Sequence, residues 1–281
     1  MTQAGFEIRR MSRRELEAIA VEWAAAEGWN PGLHDAEAFH ATDPQGFLVG
    51  TLHGEPVACI SAVAYDDTFG FIGFYIVRPG QRGRGYGLRV WNAAVEYLDG
   101  RNVGLDGVPA QQENYRKSGF RLEYPNVRYQ GTGGGSVPEG LADLSEVPWE
   151  AVEAFDRTAF PVPRRRFLQR WLAQPGATAL GLIRDGSLCG YGMIRPCRSG
   201  CKIGPLFAED EDTAQGLFSG LAAQAPDQPI FLDVPAPHRE AVRLAEAHGM
   251  VPVFDTARMY TRGAPDFDLR RVFGVTTFEL G

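Results

Sequence analysis

The chain is expected to be an α/β (α+β) protein built as two tandem units, and three observations lead there. An apolar run from Phe71 to Val77 meets a turn at Pro79-Gly80, then three alternating glycines (Gly83, Gly85 and Gly87). A helix follows, with Trp91, Ala94, Val95 and Leu98 at helical spacing on one face. The chain has 281 residues, 44% apolar and 22% charged, an ordinary globular composition that suits one large domain or two of usual size. The second half then repeats landmarks of the first at a period of about 130 residues.

The elements read in order as follows. Phe6–Arg9 is a strand, and Ser12-x-x-Glu15 is a capping box that opens a helix. Residues 35–41 form a short helix. Phe47–Leu52 and Val57–Tyr65 are strands joined at the hairpin signal His53-Gly54-Glu55. Phe71–Val77 is the next strand, followed by the glycine loop and its helix, and Asn102–Asp106 is a short strand. Gln111 to Ser118 is free of glycine and proline, carries a lysine in its last turn and ends on Gly119, so it reads as a helix with a glycine cap. Leu122–Gln130 is expected to close the first unit.

Gly131-Thr-Gly-Gly-Gly-Ser-Val-Pro138 reads as a flexible linker or a long surface hairpin. The expected boundaries are therefore 1–131 for the first unit, 132–138 for the linker and 139–281 for the second unit. Across them Leu105-Asp-Gly-Val-Pro-Ala110 is echoed by Leu232-Asp-Val-Pro-Ala236, Gly119-Phe120 by Gly249-Met250, and the turn at Gly54 by Arg184-Asp-Gly186. Arg128 and Arg258 each lie nine residues after the paired glycines. The repeat fails at the glycine loop. Gly204-Pro-Leu-Phe-Ala-Glu-Asp-Glu-Asp212 puts four acids where the first unit has arginines and glycines. Acids suit an empty helix N-terminus and repel an anion placed there.

A formal charge of −7 argues against general nucleic-acid binding, and Arg78, Arg82, Arg84 and Arg89 make a local basic spot suited to one small polyanion. No apolar run of about eighteen residues predicts a membrane span, and no secretion signal opens the chain, so a cytoplasmic location is expected. Cys59, Cys189, Cys197 and Cys201 include no Cys-x-x-Cys pair, and Cys197-x-x-x-Cys201 lacks partners, so no metal is expected. Arg164-Arg-Arg166 and Arg170, interleaved with Phe167, Leu168 and Trp171, read as an amphipathic helix with a basic face or as an anion site, with Asp156 as a partner for the cluster.

The glycine loop is a phosphate cradle by its chemistry: glycines let backbone N–H groups converge on phosphate oxygens, and the helix N-terminus adds partial positive charge. The run lacks the Gly-Lys-Ser/Thr of a Walker loop and the Gly-x-Gly-x-x-Gly of a dinucleotide fingerprint. Val77-Arg-Pro-Gly-Gln-Arg82-Gly-Arg-Gly-Tyr-Gly87 instead resembles the acyl-coenzyme A signature of the GNAT acetyltransferase superfamily. Asn114-Tyr115-Arg-Lys-Ser-Gly119-Phe120 resembles that superfamily's Tyr-x-Lys-x-Gly-Phe segment. Trp29-Asn-Pro-Gly32, Leu105-Asp-Gly-Val108 and the closing Phe273-Gly-Val-Thr-Thr-Phe-Glu-Leu-Gly281 are similar to a bacterial two-domain subgroup. The resemblance implies two tandem GNAT-like domains, each a mixed, largely antiparallel sheet flanked by helices, the second degenerate. The superfamily often carries a glutamate on the strand before the loop, and Phe71–Val77 has no acid.

The resemblance further implies direct transfer of an acetyl group from acetyl-CoA to a primary amine. Such a reaction needs a base for an amine of pKa near 10.4, donors for the oxyanion and an acid for the departing thiolate. Tyr115 is the candidate acid. Asp106 is the candidate base, or else a cap on the loop from Gly107 to Ala110, a reading that its echo at Asp233 favours. Arg82, Gly83, Arg84, Gly85, Tyr86 and Gly87 are expected at the pyrophosphate. Ile76 and Val77 are expected at the pantetheine amides, with Asn114 adding a contact. Trp29, Asn30, His34, Phe74 and Tyr75 are expected around the acceptor, with His34 an alternative base. The partner expected is a small-molecule amine, the oligomeric state being unspecified. A protein acetyltransferase and a non-catalytic acyl-CoA sensor are the alternatives.

Overall fold

A computed structural model of the chain describes residues 5–281. The first half runs β1 (Phe6–Arg10), α1 (Arg13–Glu15), a π-helical stretch Leu16–Val21, α2 (Glu22–Ala26), α3 (Asp35–Thr42), β2 (Phe47–Leu52), β3 (Glu55–Ala64), β4 (Phe69–Val77), α4 (Tyr86–Tyr97), β5 (Asn102–Gly107), α5 (Gln112–Lys117) and β6 (Arg121–Thr132). The second half repeats the plan: β7 (Leu141–Asp143), α6 (Trp149–Ala159), α7 (Arg165–Trp171), β8 (Thr178–Arg184), β9 (Ser187–Pro196), β10 (Cys201–Ala208), α8 (Glu211–Ala222), β11 (Pro229–Pro235), α9 (Arg239–Ala247) and β12 (Val251–Tyr260), with β13 (Val272–Gly274) added.

Local chemistry sets these boundaries. Ser12 and Glu15 form the reciprocal capping box, Ser12 N–H donating to the Glu15 carboxylate at 3.0 Å. Gly119 and Gly249 follow α5 and α9 at φ of +89° and +66°, left-handed positions that glycine adopts without a Cβ clash. On α4 the buried face is Val90, Trp91 and Ala94, with Leu98 following. Val95, expected on that face, is 37% exposed, because α4 is rotated to lay Val90 against the sheet.

The strands make one sheet in the order β1-β2-β3-β4-β5-β12-β6-β11-β10-β9-β8-β7, with β13 added against β10. The two parallel pairs are β4–β5 and β10–β11, and the remaining pairings are antiparallel. β6 does not close the first unit. It lies between β12 and β11, while β12 of the second half pairs with β5 of the first. Each half thus lends its last strand to the other. Gly131 and Thr132, expected in the linker, extend β6. Gly133 and Gly134 then donate to the carbonyls of Gln228 and Ala222 at 2.8 Å each, so the glycine run starts on the second half.

The exchange brings the repeated residues into reciprocal ion pairs. Arg258 on β12 holds Asp106 on β5 at 2.9 and 2.6 Å, and Arg128 on β6 holds Asp233 on β11 at 2.6 and 2.8 Å. A third buried pair, Asp35–Arg195 at 2.8 Å, joins α3 to β9. Apolar packing also crosses the junction, Phe39 of α3 stacking on Trp171 of α7 at 5.6 Å. The exposed and buried faces of α7 divide as the sequence implies: Phe167, Leu168 and Trp171 are buried. Arg164, just before it, is buried and takes Asp156 as its partner at 2.7 Å.

Candidate active site

β4 and β5 pair only from Phe69 to Ile72 and then diverge. At the divergence β4 carries a bulge, its register with β3 passing from Ser61–Gly73 to Cys59–Ile76. Phe74 sits in it at φ +48°, a strained position for a bulky residue, held by burial of its ring edge-on to Phe39 at 5.7 Å. Between the splayed strands lies a cavity of about 510 Å³. From the first half it is lined by the end of β4, the glycine loop, the start of α4, the end of β5, Gln111 and Tyr115. From the second half it is lined by Phe254, Thr256, Phe278 and Glu279.

At one end of the cavity, Gly83 and Gly85 adopt φ of +75° and +83°, and Gly85 is the residue before the first turn of α4. A Cβ at Gly87 would meet the Tyr75 hydroxyl oxygen at 2.7 Å, so α4 approaches β4 only because that residue is glycine. Arg82 donates from Nε to the Val77 carbonyl at 2.9 Å and forms an ion pair with Glu27. Gln81 Oε1 is buried without a partner at this end. Left-handed glycines, a helix start and an arginine together fit a phosphate-bearing ligand.

Tyr115 lies deeper, its ring 5.3 Å from Trp91 and against Gly107, where a Cβ would fall 2.2 Å from the ring. Burial, with the Tyr75 phenol nearby, holds the Tyr115 hydroxyl well above its ordinary value, so it is a neutral phenol at physiological pH. Beyond it the C-terminal tail closes the far end. Gly73 makes room for the tail: a Cβ there would lie 2.2 Å from the Glu279 carbonyl oxygen. The Tyr65 hydroxyl donates to the Leu280 carbonyl at 2.9 Å. On the facing wall the buried Thr256 Oγ1 has no partner.

Of the residues singled out from sequence, Trp29, Phe74, Tyr75, Ile76, Val77, Arg82, Gly83, Gly85, Tyr86, Gly87, Asp106 and Tyr115 line the cavity. Tyr86 does so with its ring turned into the core, stacked on Phe6 at 4.9 Å, so its backbone is what the loop end offers. Arg84 is exposed outside the lining, and Asn114 bonds Gln111, which lines the cavity in its place. Two acceptor candidates stand elsewhere. Asn30 stitches the halves together through Ser199 at 3.0 and 2.9 Å, and His34 is exposed before α3.

Asp106 reaches the cavity wall, but its side chain is 0% exposed. One oxygen accepts from Arg258 and Asn126, the other from Arg258. Its carboxylate is thus taken up by Arg258 and Asn126, and the pair ties β12 to β5. Phe254, Thr256, Phe278 and Glu279 are further lining residues; for the last two the sequence signals are the missing acid on β4 and the likeness of the closing segment from Phe273 to Gly281 to the two-domain subgroup.

The second cleft differs. β10 and β11 pair over Cys201–Ile203 and also splay, but β13 fills the gap, pairing with β10 at Leu206 and Phe207. Val275 N–H then donates to the Asp233 carbonyl at 2.8 Å. Asp210 caps α8, accepting from Thr213 N–H at 2.7 Å.

Two family models match this chain: the acetyltransferase (GNAT) family over residues 8–120 and an acetyltransferase (GNAT) domain over residues 152–274. A holothin acyltransferase from Pseudoalteromonas sp. (strain SANK 73390) is 35% identical over 266 residues, covering 94% of this chain and 90% of that protein. The chain belongs to the GNAT acetyltransferase family. It is an acyltransferase of tandem GNAT architecture. Among solved structures, a putative acetyltransferase from Pyrococcus horikoshii superposes with a TM-score of 0.86 at 22% identity, covering 100% of this chain and 98% of that one. A tandem GNAT protein from the clavulanic acid biosynthesis pathway gives 0.64 at 16% identity, covering 93% and 100%. Both share the fold of this GNAT chain.

Proposed function

We propose that this GNAT acyltransferase moves the acetyl group of acetyl-CoA directly to a primary amine of a small molecule. The first unit (1–131) would hold the donor, and the second (139–281) would wall the acceptor end. The observation that carries this reading is that one continuous cavity is lined both by the glycine loop and by Phe254, Phe278 and Glu279. Its volume of about 510 Å³ lies within the range for small-molecule sites. The relative's name, holothin acyltransferase, is consistent with a named compound as acceptor and leaves the acyl group unspecified.

Arg82 and the backbone of residues 83–87 would meet the pyrophosphate, and the unpaired edge of β4 at Ile76 and Val77 the pantetheine amides. Tyr115 lines the cavity with its hydroxyl protonated and would give that proton to the departing sulfur.

Calorimetric titration with acetyl-CoA tests the donor, and an acetylation assay over small amines tests the acceptor. One site per chain is expected, abolished by Gly85→Trp, which forces a bulky residue into a left-handed position at the cradle. Tyr115→Phe is expected to keep acetyl-CoA affinity and lower turnover about 10–100-fold. No acetyl-CoA binding by the wild type would sink the reading.

A further inference from the structure

We propose that Glu279, on the C-terminal tail, receives the acceptor's ammonium and takes its proton. This rests on the acyl-transfer reading above. An alkylammonium with pKa near 10.4 must lose a proton before its nitrogen can attack. β4 supplies no acid. Five charged residues line the cavity, and four are in ion pairs: Glu27 with Arg82, Asp106 with Arg258, and Arg128 with Asp233. Glu279 is the fifth, and no basic group lies within 4 Å of its carboxylate among the described residues.

Its setting suits the task. The Thr277 hydroxyl donates to Glu279 Oε2 and fixes the carboxylate, while Oε1 makes no hydrogen bond with the described residues. The backbone of Glu279 rests on Gly73, where β4 leaves β5, and Glu279 is a buried residue of the cavity lining. The unpartnered Thr256 hydroxyl offers a second polar contact for a nitrogen. The charges facing Glu279 are Arg128 and Arg195, neutralised by Asp233 and Asp35, and the buried Lys202.

In the step, the ammonium gives one proton to Glu279 and its freed lone pair attacks the thioester carbon. The C–N bond forms and the C–S bond breaks. Tyr115 gives its proton to the departing sulfur and recovers one from the nitrogen. Amide and free thiol leave, and Glu279 returns its proton to water.

The test compares pH profiles of kcat/KM for wild type, Glu279→Gln and Glu279→Asp. Acetyl-CoA is the donor. Primary alkylamines and O-alkylhydroxylamines of matched skeleton, the latter already neutral at pH 7, are the acceptors. Glu279→Gln should lower the alkylamine kcat/KM about 100-fold at pH 7 and recover as rising pH frees the amine. The hydroxylamines should be little affected. Glu279→Asp keeps the charge but withdraws the carboxylate, and should lose alkylamine turnover at unchanged Tm. Equal loss for both acceptor classes, or none, overturns the proposal while the acyl-transfer reading stands. Wild-type protein that acylates neither class overturns that reading and this inference with it.

Discussion

The two halves share one strand plan and differ in what fills the gap between their parallel strands. In the first, β4 and β5 part at Gly73 and leave a cavity. In the second, β10 and β11 part after Ile203, and the chain's own β13 enters. The equivalent glycines tell the same story. A Cβ at Gly204 would lie 2.6 Å from the carbonyl oxygens of Val275 and Thr276, and one at Gly73 2.2 Å from that of Glu279. One tail closes the second cleft and walls the first. The second cleft therefore differs from the first in two ways, the strand that enters it and the four acids of its loop.

The reciprocal pairs that lock the halves give the largest expected effect. Asp233→Asn leaves Arg128 buried without its anion and should cost about 3–5 kcal/mol in urea unfolding at pH 7. Asp106→Asn should cost a similar amount through Arg258. Burial alone would raise the Asp233 and Asp35 carboxyls, but Arg128 and Arg195 outweigh it and hold both below their ordinary range. A carboxyl depressed in the folded state stabilises above its unfolded pKa, about 3.9, and that contribution is lost as pH falls through the lower folded value. Wild-type stability should therefore fall steeply below about pH 4. Asp233→Asn should show a shallower fall, and an unchanged slope would remove Asp233 from the account.

Next come the two glycines. Gly73→Ala should push the tail off β4 and lower turnover about 10–100-fold, with a stability cost of ~1–3 kcal/mol and a much smaller change in acetyl-CoA affinity. Gly204→Ala should show the larger loss in Tm of the two, because it displaces the segment that fills a core rather than a cavity wall. Equal profiles for both variants in activity and melting would break the distinction between an open and a filled cleft.

What the sequence made legible was local chemistry. The glycine loop, the capping box at Ser12 and the caps at Gly119 and Gly249 depend on neighbours a few residues away, and all appear. The exchange of β6 and β12 did not, because a strand's alternation does not name its partner: Leu122–Gln130 reads the same beside β5 or beside β11. Asp106 was found, but Arg258, which encloses it, lies 152 residues on. Asn30 and His34 lie outside the cavity lining although Trp29 is in it, because the Asn30 side chain is engaged by Ser199, 169 residues on. Glu279 sits in an irregular tail without periodicity, so neither the subgroup likeness of the closing segment nor the acid missing from β4 gives it a place at the cavity.

The smallest effect tests the cradle itself. Arg82 and Glu27 are paired on the cavity rim, with side chains 52% and 31% exposed. On the proposed reading a pyrophosphate would compete with Glu27 for Arg82, and a half-exposed pair of this kind contributes about 0–1 kcal/mol. Glu27→Gln should therefore tighten acetyl-CoA binding by up to about fivefold, more at low salt than at high, as screening weakens exposed charges. Neutralising Glu209, Asp210, Glu211 and Asp212 should leave the stoichiometry at one, since β13 still occupies the second cleft. A second binding event in that variant would mean that charge alone, and not the inserted strand, keeps the second half empty.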